Sequence, residues 1–168
     1  MTRYIALLRA VNVGGTGKLP MTELVAMCEA AGFENARTYI ASDNVVFHSR
    51  KSEQQVKAEL ERRLFDYAGK PVGVAVRTGA EMAAVLAANP FPKAAPNRTV
   101  AIFLDESPPP DALGAATGVN GEEMALGKRE IYVHYGAGMA SSKLRIPAAK
   151  AGTARNLNTI AKLAAMGA

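Results

Sequence analysis

Ala36-Arg37-Thr38-Tyr39-Ile40-Ala41-Ser42-Asp43-Asn44-Val45-Val46-Phe47 decides the fold. Ala36 to Ile40 and Val45-Val46-Phe47 are short runs rich in β-branched and aromatic residues, and Ser42-Asp43-Asn44 between them is turn chemistry. The stretch therefore predicts a β-hairpin, with Asp43 and Asn44 suited to the left-handed backbone such turns use. Towards the N-terminus, Tyr4-Ile5-Ala6-Leu7-Leu8 is a short apolar run that predicts a buried strand. Pro20 opens a helix carrying Leu24, Met27 and Cys28 at helical spacing, with Gly32 placed to stop it. Towards the C-terminus, Ser52 followed by Gln55 predicts a capping box. The helix it opens carries Val56, Leu60 and Leu64 on one face, while Lys57, Glu59, Glu61, Arg62 and Arg63 lie mostly outside it. Val72 to Val76 completes a βαββαβ order, which is ferredoxin-like.

The second half echoes the first less cleanly. Residues 79–89 predict a connecting helix stopped by Asn89-Pro90-Phe91-Pro92, and Val100 to Leu104 a strand. Pro108-Pro109-Pro110 leads into a short helix containing Leu113. Glu123 to Leu126 and Glu130 to Tyr135 predict a second hairpin around Gly127-Lys128. A short helix is expected to begin over Ser141 to Leu144. A longer one spans Asn156 to Met166, with Leu157, Ile160, Leu163 and Ala164 on one face. The expectation is an α+β protein of two ferredoxin-like subdomains packed together, with mainly antiparallel sheets. Their expected spans are 1–78 and 98–168, joined by a helix and Pro-rich loop over 79–97.

Composition narrows the function classes. With 49% hydrophobic residues among 168, the chain can build a core without disulfides, and its single cysteine, Cys28, forms no internal one. No apolar run approaches a membrane span, and Met1-Thr2-Arg3-Tyr4 lacks the pattern of a signal peptide, so a soluble cytoplasmic protein with no membrane partner is expected. The net charge of +5 favours anionic partners, a tendency shared by many proteins that bind none. Tryptophan is absent and aromatics are few, which argues against a large base-stacking platform.

Four constellations of polar residues stand out. Asn12-Val13-Gly14-Gly15-Thr16-Gly17-Lys18 resembles a phosphate cradle, since glycines expose backbone N–H groups and Lys18 adds charge. It is not a P-loop: Asn12 stands where that pattern has glycine and Leu19 where it has the Mg²⁺-binding hydroxyl. Thr153-Ala154-Arg155-Asn156-Leu157-Asn158-Thr159 gathers more polar side chains than one helix cap requires, and an arginine at a helix start suits an anion. Tyr135 with Ser141-Ser142-Lys143 offers a lysine beside hydroxyls. Ser42-Asp43-Asn44 is the fourth. Each also has a plain structural reading as loop, cap or turn. His48 and His134 lie on strand patterns, and no Cys/His/carboxylate cluster has metal-site spacing, so no metal or cofactor is expected. Cys28, on an apolar helix face, is expected in the core.

Several motifs in order resemble the bacterial family known as domain of unknown function 1697. They are Tyr4 to Gly15, Lys18-Leu19-Pro20-Met21, Tyr39 to Phe47, Asn89-Pro90-Phe91-Pro92, Tyr132-Val133-His134-Tyr135, Ser142-Lys143-Leu144 and Thr153 to Thr159. The resemblance implies two ferredoxin-like subdomains and no particular reaction. Two positions depart from its pattern: Asp43 stands where the family usually has glycine, and Leu157 where it usually has tryptophan. The segment between Lys143 and Thr153 is also shorter than usual.

The functional expectation is a cytosolic binding protein for a small anionic or nucleotide-like ligand, held in one cleft between the subdomains. Lys18, Lys143 and Arg155 would supply charge, and Asn12, Ser42, Asn44, Tyr135, Ser142, Asn156, Asn158 and Thr159 would supply polar contacts. One alternative is a protein that binds RNA or single-stranded nucleic acid through an open sheet face. Another is an enzyme acting on a phosphorylated or carboxylated small molecule, with Lys143 or Tyr135 as acid/base; no catalytic set is otherwise assigned.

Overall fold

A computed structural model describes residues 1–9, 19–136 and 138–168. The expected cradle, with Asn12 and Lys18, lies outside the described residues. The chain divides into two units, Met1–Met82 with Leu163–Ala168, and Ala83–Lys162. Each holds one four-stranded antiparallel sheet.

The first unit contains β1 (Thr2–Leu8), α1 (Met21–Ala30), β2 (Glu34–Tyr39), β3 (Asn44–Ser49), α2 (Glu53–Ala68) and β4 (Val74–Thr78), with sheet order β2-β3-β1-β4. This is the ferredoxin-like arrangement that the hairpin and its flanks predict. α1 ends as Gly32 suggests: Gly32 has φ 84°, its N–H donates to Glu29 O, and Phe33 N–H donates to Cys28 O, satisfying two carbonyls at the helix end. α2 starts with the expected capping box, Gln55 N–H donating to Ser52 Oγ and Ser52 N–H to Gln55 Oε1. Leu24, Cys28, Val56, Leu60 and Leu64 are all fully buried. They cover Tyr4, Ala6, Leu8, Val45, Phe47, Val74 and Val76 on one sheet face. Burying a side chain such as Leu60 contributes about 1.5–3 kcal/mol. The charges expected outside this face pair among themselves, Lys57 with Glu61 and Glu59 with Arg62 and Arg63.

The hairpin differs from expectation in where its backbone bends. The left-handed residues are Ile40 (φ 54°) and Ala41 (φ 50°), not Asp43 or Asn44. Residues 41–43 form a turn of 3₁₀ helix, and Asn44 is already extended, pairing with Tyr39. Asp43 therefore occupies a position that does not require glycine, which accounts for its tolerance there. β2 starts earlier than predicted because a bulge, with Asn35 at φ 55°, interrupts its register between Glu34 and Arg37.

α3 (Gly79–Ala87) follows β4 directly, opened by a second capping box in which Glu81 N–H donates to Thr78 Oγ1 and Thr78 N–H to Glu81 Oε1. The second unit then carries β5 (Thr99–Phe103), β6 (Glu123–Leu126), β7 (Glu130–His134) and β8 (Thr153–Asn156), with sheet order β6-β7-β5-β8. The strand order matches that of the first sheet. The connections do not match, because short 3₁₀ turns at 112–115, 139–141 and 147–149 replace two long helices. The helix expected to begin at Ser141 is a 3₁₀ turn that ends there, and Ser142 is extended. Pro147 follows too closely for a helix to develop. The polar run from Thr153 likewise splits: its first four residues are β8, and α4 (Leu157–Met166) begins after Asn156. Leu157, Ile160, Leu163 and Ala164 are buried as their spacing predicts.

The second face of each sheet is also buried. Ile5, Leu7 and Arg77 in the first unit, and Ala101, Phe103 and Tyr132 in the second, are at most 2% exposed. In the first unit the end of α4 lies against this face, where Arg37 donates to Met166 O and a Cβ on Gly167 would sit 3.0 Å from Ile5. In the second, Tyr132 donates to Val85 O of α3 at 2.7 Å. No helix among the described residues is long and apolar enough to cross a membrane.

Candidate functional site

In the first unit α1 and α2 seal one face of the sheet. In the second, coil and 3₁₀ turns cover the corresponding face of Val100, Ile131 and Val133, and they leave cavities. The loop at Thr117–Glu122 and the segment at Gly138–Arg145 are pinned together by reciprocal backbone bonds of 2.9 Å between Thr117 and Arg145. Gly118 (φ 69°) makes this approach feasible, since a Cβ there would lie 2.1 Å from Lys143 O. Beneath the bridge is a cavity of about 290 Å³, lined by residues including Asn120, Glu122, Tyr135, Ser141, Ser142 and Lys143.

Its polar groups are ordered by a short chain of bonds. Ser142 Oγ donates to Glu122 Oε2 at 2.8 Å and accepts from Leu144 N–H. Asn120 N–H donates to Glu122 Oε1. These bonds, Asn120 first, hold the Glu122 carboxyl below its usual range. Burial, reinforced by the charge of Glu122, pushes the Tyr135 phenol up. Tyr135 is positioned by its N–H donating to Arg98 O, and Arg98 in turn holds Gly136 O. Lys143 is exposed and has no hydrogen-bond or ion-pair partner among the described residues.

A larger cavity of about 590 Å³ also uses Tyr135 as a wall. Its lining is mainly apolar, with Ile102, Leu144, Ile146 and Pro147, and includes Arg145 and Lys150. The two volumes lie at the lower edge and in the middle of the roughly 300–1,000 Å³ that small-molecule sites span.

Of the expected residues, Tyr135, Ser142 and Lys143 thus meet in one cavity of the second unit. Arg155, Asn156, Asn158 and Thr159 do not line it. Arg155 lies on β8 and donates to Ala154 O, Asn156 Oδ1 accepts from Thr159 N–H to cap α4, Asn158 is exposed and Thr159 is buried. Ser42 and Asn44, both buried in the first unit, donate to the backbone carbonyls of Leu19 and Tyr39. Leu157 is buried at the start of α4, where a side chain packs instead of stacking on a solvent-borne ligand. Both histidines are bonded within the sheets, His48 to Asn35 and His134 to Thr99. Cys28 lies in the core as expected, and burial pushes its thiol up to about 12. The central strands of each sheet are buried on both faces, whereas the edge strands β2 and β6 are partly exposed.

Reading the sequence for charge and hydroxyl clusters missed Glu122 and the Gly118-Val119-Asn120-Gly121 loop before it. The available signal was the pair of glycines bracketing an Asn ahead of a strand, which is turn chemistry with room for positive φ at both ends; Gly121 indeed has φ 85°.

A solved structure of a conserved bacterial protein from Streptococcus pneumoniae is similar to this chain over 99% of both, with a TM-score of 0.81 and 25% sequence identity. Comparison with the curated proteins gives no match. The family described as Protein of unknown function (DUF1697) matches residues 1–132 of the 168, from β1 to the middle of β7. The family resemblance read from the motifs is therefore correct, and the chain belongs to the DUF1697 family.

Proposed function

We propose that the protein binds a small anionic molecule, with the cavity around Ser142 and Lys143 in the second unit as its site. The observation that carries this reading is that Lys143, a cation without a partner among the described residues, shares a cavity with the hydroxyl groups of Tyr135, Ser141 and Ser142. A lysine with a flexible stem and three donors suits a carboxylate or phosphate. The Tyr135 and Ser141 hydroxyls line the cavity as donors for such a group, whereas the Ser142 proton is engaged by Glu122; Gly118, Gly136 and Gly138 let the group approach the backbone.

The reading is tested by thermal-shift and calorimetric screens of carboxylates, phosphosugars and nucleotides against the full chain. A ligand is expected whose affinity falls at least tenfold in a folded Lys143→Ala variant and stays unchanged in Lys70→Ala, a lysine in the turn after α2. Equal loss in both variants, or no loss in either, contradicts the assignment.

A further inference from the structure

Two features of the same region constrain the rest of the ligand. Glu122 lines the cavity together with Lys143, so a purely anionic ligand that reaches the lysine also meets a carboxylate. That carboxylate is anchored by Asn120 and Ser142 and is ionised at neutral pH. A purely cationic ligand meets the opposite difficulty at Lys143. A molecule carrying both charges satisfies both walls. Tyr135, meanwhile, borders both cavities, and beyond it lies the apolar lining of Ile102, Leu144, Ile146 and Pro147. Tyr135 is the wall the two cavities share, so a head group in the smaller one would lie next to the larger one, whose apolar side chains are accompanied by Arg145 and Lys150.

We infer that the ligand is a free α-amino acid with a large aliphatic or aromatic side chain. Its carboxylate faces Lys143, its ammonium faces Glu122, and its side chain passes Tyr135 into the apolar cavity. This rests on the reading of Lys143 as the anion-holding group and adds the second charge and the apolar body. The assignment is mutual: each charged wall rejects the analogue lacking the complementary group, which is how a small site gains specificity.

The test is calorimetry on the full chain with L-phenylalanine, L-leucine, 3-phenylpropionate, 2-phenylethylamine and glycine. L-Phenylalanine or L-leucine is expected to bind at least tenfold more tightly than each analogue, which lacks respectively the ammonium, the carboxylate or the body. These comparisons use the unaltered protein and so do not depend on any variant folding. Glu122→Gln is expected to weaken amino-acid binding at least tenfold and to leave 3-phenylpropionate binding unchanged or stronger. If 3-phenylpropionate binds as tightly as L-phenylalanine, the inference falls and the anionic-ligand reading stands. If the amino acids fail to bind while 3-phenylpropionate or inorganic phosphate, titrated alongside them, binds, the inference falls and the anionic-ligand reading stands; if all of them fail, both fall.

Discussion

Single residues in this protein are decided by what surrounds them more than by their type. Cys28 is chemically a nucleophile, but in the core its thiolate is strongly disfavoured, with the thiol moved from 9.0 to about 12. Tyr132, buried and near Glu130, moves from 10.0 to about 12. Both groups keep their protons in the folded state after the unfolded chain has lost them. Their contribution to stability is therefore complete below about pH 9, and it is lost as pH rises towards 12. Urea denaturation at pH 8, 10 and 11 is expected to show falling stability, with a shallower fall in Cys28→Ala. Native protein should resist thiol alkylation until it is unfolded. Ile40 shows the opposite case, a β-branched residue held at φ 54° and half exposed. The left-handed conformation costs an L-residue roughly 1–2 kcal/mol. Ile40→Asn, which tolerates that backbone, is expected to stabilise the protein by about 0.5–1 kcal/mol in equilibrium denaturation. A loss of stability would show that Ile40 makes a packing contribution larger than its strain.

Elements with a strong period were legible because their periodicity directly reports burial. The face of Val56, Leu60 and Leu64, the capping box at Ser52, and the run from Leu157 to Ala164 all form as their spacing predicts. Ser52→Ala should cost about 1 kcal/mol, and Leu60→Ala about 2–5 kcal/mol. What local pattern could not report was set by distant contacts. Ser141 to Leu144 looks like a helix start, yet Ser141 ends a 3₁₀ turn and Ser142 is extended, leading to the bridge between Arg145 and Thr117. The close approach of Gly79 to Gly167 is equally invisible in sequence, since each reads as an ordinary helix-end glycine. A Cβ on Gly79 would lie 2.0 Å from Gly167 O. Gly79→Ala therefore should not give the usual helical gain of about 1 kcal/mol; it should destabilise by about 1–3 kcal/mol. Differential scanning calorimetry of that variant distinguishes the two signs.

Across the whole molecule, one strand order is used twice with different coverings. The first unit buries one face of its sheet under two helices, and hydrophobic periodicity makes that layer readable. The second unit covers the same topology with proline-containing coil and 3₁₀ turns, which lack a period and leave cavities. The candidate site was accordingly legible in part. Tyr135, Ser142 and Lys143 stand close in sequence and line one cavity, whereas Glu122 reaches it only through the pairing of Thr117 with Arg145. The proposed ligand site lies on this loosely covered face of the second unit. Backbone amide shifts followed by NMR during titration with L-phenylalanine test it most directly. The largest changes are expected at Gly118–Glu122, Tyr135–Gly136 and Ser141–Ile146, saturating together. Changes confined to the Ile40–Asn44 hairpin or to Arg155–Thr159, with the cavity residues unmoved, would contradict this placement.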